Sequence, residues 1–126
     1  MSKPIIYVAS PYTKGDVAIN VQFQCRIFDQ LLTEGLVLPI MPLWAHFQHL
    51  LFPRQYKDWI RYDNALLHLY DGCLRLDVEE PKLCYTEKES SGADNEVKAF
   101  ESMDKPVFYS INSLYEWVES LSGSGK

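Results

Sequence analysis

The first 40 residues contain two short apolar runs separated by the pattern of an amphipathic helix. The runs at Ile5–Ala9 and Leu36–Ile40 are continuous, which is typical of strands buried on both faces of a sheet. Between them, Asp16 is a good N-cap, apolar residues recur every three or four positions from Val17, and Gly35 is a natural helix stop. This βαβ pattern predicts two parallel strands, because a crossover helix returns the chain to the same end of the sheet.

The rest of the chain continues the alternation of strands and helices. A loop over Met41–Phe52 is followed by a helix that begins near Pro53 and ends at Gly72. Later elements are predicted as a strand at Cys73–Leu76, a polar surface loop at Asp77–Glu89, a helix over about Ala93–Met103, a strand at Lys105–Tyr109 and a helix at Ser113–Leu121. The pattern predicts one three-layer α/β domain over residues 1–121, flavodoxin-like or Rossmann-like. We expect a parallel sheet of four to five strands in an order near 2-1-3-4, and a flexible Gly/Ser tail at 122–126.

The composition limits the classes of partner. The 126-residue chain carries a net charge of −5, so it has no general attraction for nucleic acid polymers or anionic lipid. No apolar stretch approaches the roughly 20 residues that span a bilayer. Three cysteines, Cys25, Cys73 and Cys84, lack C-x-x-C spacing, and no signal peptide precedes the first apolar run. We therefore expect a cytoplasmic protein with reduced thiols and a small-molecule ligand.

In parallel α/β sheets, ligands bind outside the carboxyl ends of the strands, where the strand order reverses. The segments that follow the first three predicted strands are Ser10–Gly15, Met41–Phe52 and Asp77–Gly92. We expect the functional site to be built from these three segments. Lys14 is a further candidate for contact with a monophosphate, although a solvated lysine is equally consistent with the sequence.

The last of these segments ends in a polar turn that opens into a helix. Backbone N–H groups at such a helix start, with the hydroxyls of Ser90 and Ser91 and the glycine at Gly92, can hold one small anion. Glu96 lies in the first helical turn and is a candidate carboxylate at the floor of that pocket. A simple capping arrangement, with a serine N-cap and an acid near the helix dipole, explains the same residues.

Two aspartates precede the third strand. Asp63 shares a helical face with apolar residues such as Trp59, so its pKa is expected to rise, as a general acid requires. A solvated edge position is the alternative. Asp71, just before Gly72, is typical of turn chemistry. Tyr7 lies inside the first strand, and its hydroxyl needs a partner if it is buried, a role that a carboxylate such as Glu96 would fill.

Aromatic residues dominate the loop after the second strand. Trp44 and His46 are candidates for stacking on a nucleobase or for packing. His46 and His49 form an H-x-x-H pair, but the Glu of a helical H-E-x-x-H zinc motif is missing, so we expect no metal. The loop Ser10–Gly15 matches neither the P-loop nor G-x-G-x-x-G, which argues against nucleoside triphosphates and dinucleotides and gives no sign of a cofactor.

Together these residues resemble the nucleoside 2-deoxyribosyltransferase superfamily, including its 2′-deoxynucleoside 5′-phosphate N-hydrolase branch. The resemblance runs from about Ile5 to Tyr109. It is carried by Tyr7 in a first strand of the type I-Y-V-A-S, by Asp63 and Asp71 eight residues apart, by Ser90-Ser-Gly-x3-Glu96, and by Ala99 followed by Lys-Pro-Val.

The resemblance implies roles for individual residues. Glu96 takes the position of the nucleophile that attacks the anomeric carbon, Tyr7 that of the tyrosine in contact with it, and Asp63 that of a second catalytic carboxylate. Ser90 takes a position that is serine in the monophosphate hydrolases and acidic in the nucleoside transferases. Ser10 and its loop would line the substrate site, and family members are usually homodimers.

The resemblance thus implies an N-glycosidase that acts on a (deoxy)nucleoside 5′-monophosphate. Base exchange by a nucleoside 2-deoxyribosyltransferase and a non-catalytic nucleotide-sensing module are the alternatives. The chain departs from the family pattern at Asp94, Asn95 and Lys98. Its loop after the first strand also lacks the arginine that often meets phosphate in the hydrolases. Exposed aromatics near Trp44 and Phe52, or near Tyr115 and Trp117, are candidates for the dimer interface.

Overall fold

A computed structural model describes residues 2–11, 15–80, 85–87 and 91–124 of the chain. The strands are β1 (Ile5–Ala9), β2 (Leu38–Ile40), β3 (Gly72–Arg75), β4 (Val78–Glu80), β5 (Tyr85–Glu87) and β6 (Val107–Phe108). The α-helices are α1 (Val17–Glu34), α2 (Ala45–Leu51), α3 (Tyr56–Leu66), α4 (Ser91–Ser102) and α5 (Ile111–Ser124), and short 3₁₀ turns occupy Pro42–Trp44 and Leu67–Leu69.

Four of the strands form one parallel sheet in the order β2-β1-β3-β6. The register pairs Tyr7 with Ile40 on one side and with Cys73 on the other, and pairs Ala9 with Arg75. Because the fourth strand in this sheet follows the other three in sequence, the predicted order 2-1-3-4 is confirmed. The order reverses around β1, so the carboxyl ends of β1 and β3 border the crevice in which such sheets bind ligands.

The two faces of the sheet carry separate apolar clusters, which gives the three predicted layers. Side chains alternate along each strand, so Ile6 and Val8 of β1 point to one face and Tyr7 and Ala9 to the other. The first cluster joins the sheet to α1 and α5 through buried side chains including Ile6, Val8, Ile27, Leu31, Leu74, Phe108 and Leu114. The second joins it to α4 and to the segment before β3 through Tyr7, Ala9, Leu67, Tyr70, Cys73, Ala93, Val97 and Phe100.

Local chemistry sets both ends of α1 as predicted. The Asp16 carboxylate accepts a hydrogen bond from the Ile19 N–H at 3.1 Å, which satisfies one of the open donors of the first turn. At the other end, Gly35 has a φ of 74°, and its N–H donates to the Leu31 carbonyl at 3.0 Å. Only glycine adopts this left-handed conformation without steric cost, so the helix ends there.

Two predicted loops contain regular structure. The segment Met41–Phe52 is a 3₁₀ turn followed by α2, and Asp77–Glu89 includes the antiparallel pair of β4 and β5. In α2, Phe47, Leu50 and Leu51 are all exposed, so its apolar residues show no core-facing period. This seven-residue helix also lacks a side-chain cap, so no local sequence pattern predicted it.

The remaining differences concern the ends of elements. Strand β2 begins at Leu38 rather than Leu36, and α4 begins two residues earlier than the predicted Ala93. Helix α5 runs from Ile111 to Ser124, so residues 122–124 of the predicted tail continue the last helix. Residues 125–126 lie outside the described part of the chain. Among the helices that are described, none has the length and apolar character needed to cross a bilayer.

Candidate functional site

The centre of the candidate site is a buried tyrosine on the face of the sheet that α4 covers. Tyr7 is 1% exposed, and its ring lies between Tyr70, at a centroid distance of 5.3 Å, and Phe100, at 5.8 Å. A buried phenol needs a hydrogen-bond partner, because an unpaired hydroxyl in an apolar layer costs free energy. This packing directs the hydroxyl of Tyr7 at α4.

The partner of this hydroxyl is Glu96. The Tyr7 hydroxyl donates a hydrogen bond to Oε2 of Glu96, over a separation of 89 residues in sequence. Ala93 and Val97, on either side of Glu96 in α4, are buried in the cluster around Tyr7, so the helix presents Glu96 towards β1. The structure therefore joins Tyr7 and Glu96, the two residues that the sequence analysis suggested as partners.

Asp63 brings a second carboxylate to the same place. It lies in α3, one turn before Leu67, which is buried in the cluster around Tyr7. Its negative charge raises the pKa of both Tyr7 and Glu96, which places the three groups within electrostatic reach of one another. Two acids and a phenol thus converge from β1, α3 and α4.

Burial changes the titration of both acids. Loss of hydration raises the pKa of Glu96 from its ordinary value of 4.5 to about 7, and that of Asp63 from 3.8 to about 6. The hydrogen bond from Tyr7 and the charge of Arg75 act in the opposite direction on Glu96, since both favour its anion. Because the two acids interact, their protons leave in two steps that belong to the pair, close to neutral pH.

Cys73 is the β3 neighbour of Tyr7, and its thiol is buried. Burial first, and then the charge of Glu96, raises the pKa of this thiol to about 12. The thiolate is the reactive form of cysteine, so Cys73 is a packing residue at neutral pH.

Three functional candidates escaped the sequence analysis. Arg75, at the end of β3, is 5% exposed and lies within 3.4 Å of Asp94. Tyr56 is 54% exposed, and burial and the charges of Glu96 and Asp63 raise its pKa, so its hydroxyl lies within electrostatic reach of both acids. One signal for Tyr56 is its position seven residues before Asp63, which places both on one face of α3.

The third missed residue is Gln24, which is buried in α1. Its Nε2 donates to the Val8 carbonyl at 3.1 Å and to Oγ of Ser10 at 2.9 Å, and its Oε1 accepts from the N–H of Leu43 at 2.9 Å. Gln24 therefore ties the end of β1 to the turn after β2. The predicted site residue Ser10 lies at this junction and is 7% exposed.

The aromatic candidates after β2 contact other aromatic side chains, and His46 is half-buried. Trp44 is exposed and packs against Phe28 at a centroid distance of 5.4 Å, while His46 contacts Phe47 at 5.6 Å. Nδ1 of His49 accepts hydrogen bonds from the Arg54 N–H and from the indole of Trp59, each at 3.1 Å. Across the described ranges, no three His, Cys, Asp or Glu side chains are grouped to hold a metal ion.

The serine-rich turn is described only in part. Ser91 and Gly92 are the first residues of α4, and the structure describes their backbone. Ser90 and Lys14 lie outside the described residues. The helix start that was expected to face an anion therefore exists, and it lies next to the end of β3, since Arg75 contacts Asp94 in the first turn.

Asp71 has a different function from Asp63. Its Oδ2 accepts the N–H of Ile5 at 2.7 Å, and its own N–H donates to the Ile5 carbonyl at 2.8 Å. Both contacts lie at the amino ends of β1 and β3, away from their carboxyl ends. Asp71 therefore stabilises the start of the sheet.

Comparison with known proteins finds no matching family model, no matching curated protein and no matching solved structure. An inference of function rests on the contact between Tyr7 and Glu96, on Asp63 beside them, and on the chemistry of these groups. This arrangement has two carboxyl groups that titrate near neutral pH: Glu96, which accepts from a buried phenol and has a pKa of about 7, and Asp63, with a pKa of about 6. It suits a reaction that needs a nucleophile and a proton donor together.

Proposed function

We propose that this protein is an N-glycosidase that cleaves the bond between base and sugar in a (deoxy)nucleoside 5′-monophosphate. The observation that carries the proposal is the contact of Tyr7 with Glu96, with a second, half-buried acid, Asp63, within electrostatic reach. Cleavage of an N-glycosidic bond develops positive charge at C1′ and negative charge on the departing base. One anionic carboxylate and one protonated acid meet these two demands.

Glu96 acts as the nucleophile in this proposal. Its carboxylate attacks C1′, the C1′–N bond breaks, and a glycosyl ester on Glu96 forms. The Tyr7 hydrogen bond holds one carboxylate oxygen, so that the other faces the sugar. The pKa of Glu96, about 7, lies above that of Asp63, about 6, so the form with Glu96 ionised and Asp63 protonated is the minor one of the two singly protonated forms. Tyr7 and Arg75 both favour the Glu96 anion and so increase the share of this reactive form.

Asp63 acts as the acid. It transfers its proton to the base nitrogen as the C1′–N bond breaks, and its carboxylate then removes a proton from the water that attacks the ester. The ester bond breaks, the free sugar phosphate leaves, and both carboxyl groups return to their starting state. The residues present suffice for this sequence, and it requires no redox step.

The substrate class follows from the surroundings of the acids. The start of α4, with Ser91 and Gly92, offers backbone N–H groups to a 5′-phosphate, and Ser90 and Ser10 are the proposed hydroxyl partners. Trp44 and His46 are proposed to contact the base. The thiols of Cys25 and Cys73 are free, which suits the reducing cytoplasm in which we expect the enzyme to act.

One observation favours a second candidate, base exchange on an uncharged nucleoside. Asp94 places a carboxylate in the first turn of α4, where it would repel a phosphate. A nucleoside 2-deoxyribosyltransferase uses the same glycosyl ester and passes the sugar to a second base. A module that binds nucleotides without reacting is the third possibility.

The decisive experiment is a substrate panel. Ribo- and deoxyribonucleosides and their 5′-monophosphates are incubated with the protein, with and without a second base, and free bases are separated by chromatography. We expect base release from a monophosphate, and Glu96→Ala to lower the rate at least about 10³-fold. Glu101→Ala is the matched control, because Glu101 is an exposed acid in the same helix.

Each outcome separates the candidates. Exchange of bases without net hydrolysis identifies the transferase, and thermal stabilisation by a nucleotide without base release identifies the binding module. Unchanged base release by a Glu96→Ala variant with a native circular dichroism spectrum would contradict the assignment of the nucleophile.

We also propose that the protein is a homodimer whose subunits meet through α2. Leu50, Leu51 and Phe52 are 65%, 73% and 68% exposed, a large apolar surface for a single subunit, whereas Tyr115 and Trp117 of α5 pack against the first apolar cluster. Light scattering after gel filtration tests this. Leu51→Glu should give monomers, and Leu32→Glu, a charge at an exposed leucine of α1, should not. A monomeric wild-type protein at tens of micromolar would exclude the dimer.

A further inference from the structure

A charged side chain lies in the apolar layer beside the two acids. Arg75 is the last residue of β3, its backbone pairs with Ala9, and it points to the same face as Cys73 because side chains alternate along a strand. It is 5% exposed. Burial of an unpaired guanidinium costs free energy, so the groups that pair with Arg75 indicate which parts of the fold it connects.

Those partners come from two directions. Nη1 donates to the Leu76 carbonyl at 2.6 Å and lies 3.5 Å from Oδ1 of Asp77, both immediately after β3. Nε donates to Oδ1 of Asp94 in the first turn of α4 at 3.4 Å. Arg75 therefore links the end of β3 to the start of the helix that carries Glu96.

This link sets the position of α4 against β1. Glu96 follows Asp94 by two residues, and Ala93 and Val97 pack on Tyr7 and its neighbours. Arg75 contacts the first turn of α4 through Asp94, whose side chain is 58% exposed, and the apolar contacts hold the next turn. A slide of the helix along the sheet would break these contacts. The carboxylate of Glu96 is thereby held against the hydroxyl of Tyr7.

We propose that Arg75, through Asp94, is a positioning residue that holds Glu96 in its reactive place. Its effect on the reaction rests on the proposed function, whereas its effect on the contact between Tyr7 and Glu96 does not. The pair of Arg75 and Asp94 holds the position of α4. The positive charge of the guanidinium is a second, separate effect on Glu96.

An effect through the charge of Arg75 and an effect through the position of α4 predict different changes in the pKa of Glu96 and in the rate. The titratable or charged groups around Glu96 are Tyr7, Asp63, Tyr56, Tyr70, Cys73 and Arg75, with Asp94 and Lys98 on its own helix. Arg75 lowers the pKa of Glu96, against burial and Asp63, which raise it. Loss of Arg75 therefore raises the pKa of Glu96, and loss of the anionic Asp94 does not. A positioning role predicts that both losses slow the reaction.

The experiment compares Arg75→Met, Arg75→Lys and Asp94→Ala with the control Lys98→Met, which removes an exposed cation from the same helix. Three quantities are measured: kcat and KM on the best substrate of the panel, the ¹³C titration of the Glu96 carboxyl, and the ¹³C shift of the Tyr7 ring carbon that bears the hydroxyl. Thermal unfolding confirms that each variant is folded.

We expect kcat to fall about 10- to 100-fold in both Arg75→Met and Asp94→Ala, with KM within about threefold, because a displacement of about 1 Å costs that much. The Glu96 pKa should rise in the first variant and not in the second. Arg75→Lys should keep the Glu96 pKa close to that of the wild type and restore part of kcat. Lys98→Met should change none of these values.

Two results would overturn the proposal. One is a loss of kcat in Arg75→Met no larger than the measured rise of the Glu96 pKa predicts, since charge alone would then explain the loss. The other is an unchanged Tyr7 ring shift in Asp94→Ala. This second measurement needs no activity, so it decides the positioning role even if no substrate is turned over, and if Arg75→Met fails to fold, Arg75→Lys and Asp94→Ala still provide the test.

Discussion

The two ends of the parallel sheet use the same side-chain chemistry for different purposes. At the amino ends of β1 and β3, Asp71 accepts a backbone N–H of Ile5 at 2.7 Å and is exposed to water. On the α4 face towards the carboxyl ends, Glu96 accepts from a buried phenol, and burial raises its pKa to about 7. The partner and the hydration of a carboxylate, and not its presence, therefore decide whether its pKa moves towards neutral pH, as the proposed reaction requires of Glu96.

The largest expected effect comes from replacing Asp63 with asparagine, with the same replacement at Asp71 for comparison. Asp63→Asn should lower kcat by about 10²- to 10⁴-fold, because an amide cannot donate the proton that the departing base needs. Asp71→Asn is the matched control, since Asn keeps an acceptor for the Ile5 N–H, and its kcat should stay within about twofold of the wild type. Base release measured by chromatography checks both. Equal activity of Asp63→Asn and Asp71→Asn would remove the distinction between the two ends.

The pH dependence of kcat/KM tests the two acids near Tyr7. In the proposed reaction, the reactive form of the pair of Glu96 and Asp63 carries one proton, so kcat/KM should rise as the first proton leaves and fall as the second leaves. With pKa values of about 6 and about 7, the maximum should lie between these values. The rate should drop about tenfold per pH unit on each side.

Rate measurements from pH 4.5 to 9 test this profile. The fall at alkaline pH should vanish in Asp63→Asn, because that variant has no second proton to lose. A rate that stays constant from pH 5 to 8.5 in the wild type would show that the two acids do not share the reaction.

The sequence predicts features that depend on neighbouring residues better than contacts between distant segments. Helix α1 was predicted from local signals, the Asp16 cap and the Gly35 stop, and the structure confirms both. The parallel sheet followed from alternating strand and helix patterns, since few topologies fit them. Asp71 was predicted to be a turn residue from its place before Gly72, whereas its carboxylate accepts the N–H of Ile5, a contact with a distant segment.

The site was only partly predictable, because its contacts join distant segments. Tyr7 and Glu96 could be suggested as partners, because a buried phenol needs an acceptor. Arg75 was hidden within an apolar run, where its neighbours suggested nothing more than a strand. Tyr56 and Gln24 depend on how α1 and α3 pack against the sheet, which no local pattern encodes.

A smaller effect concerns stability at the reactive end. The pKa of Glu96 is raised on folding, so its ionisation favours the unfolded chain, and the wild type loses stability as pH rises from about 4.5 through about 7. This rise corresponds to about 3 kcal/mol at most. Gln at position 96 cannot ionise, but it weakens the hydrogen bond from Tyr7 by about 1–2 kcal/mol. Glu96→Gln should therefore be more stable than the wild type by about 1–2 kcal/mol at pH 8.

Urea unfolding at pH 4.5 and pH 8 measures this difference. The advantage of Glu96→Gln should disappear at pH 4.5, where the wild-type carboxyl is protonated in the folded state. Glu101→Gln, a change at an exposed acid of the same helix, should show no such dependence on pH. A Glu96→Gln variant less stable than the wild type at pH 8 would mean that the Tyr7 contact outweighs the cost of burial.

The smallest expected effect lies at the structural end. Asp71→Ala removes the acceptor of the Ile5 N–H and should lower the free energy of unfolding by about 1 kcal/mol, because that N–H is partly exposed and water replaces the lost bond. Asp71→Asn should recover most of this loss. Urea unfolding of the two variants at pH 7 measures the difference, while kcat stays at the wild-type value in both. If Asp71→Ala instead slowed base release more than it destabilised the fold, Asp71 would belong to the reactive site, and the contrast between the two ends of the sheet would fail.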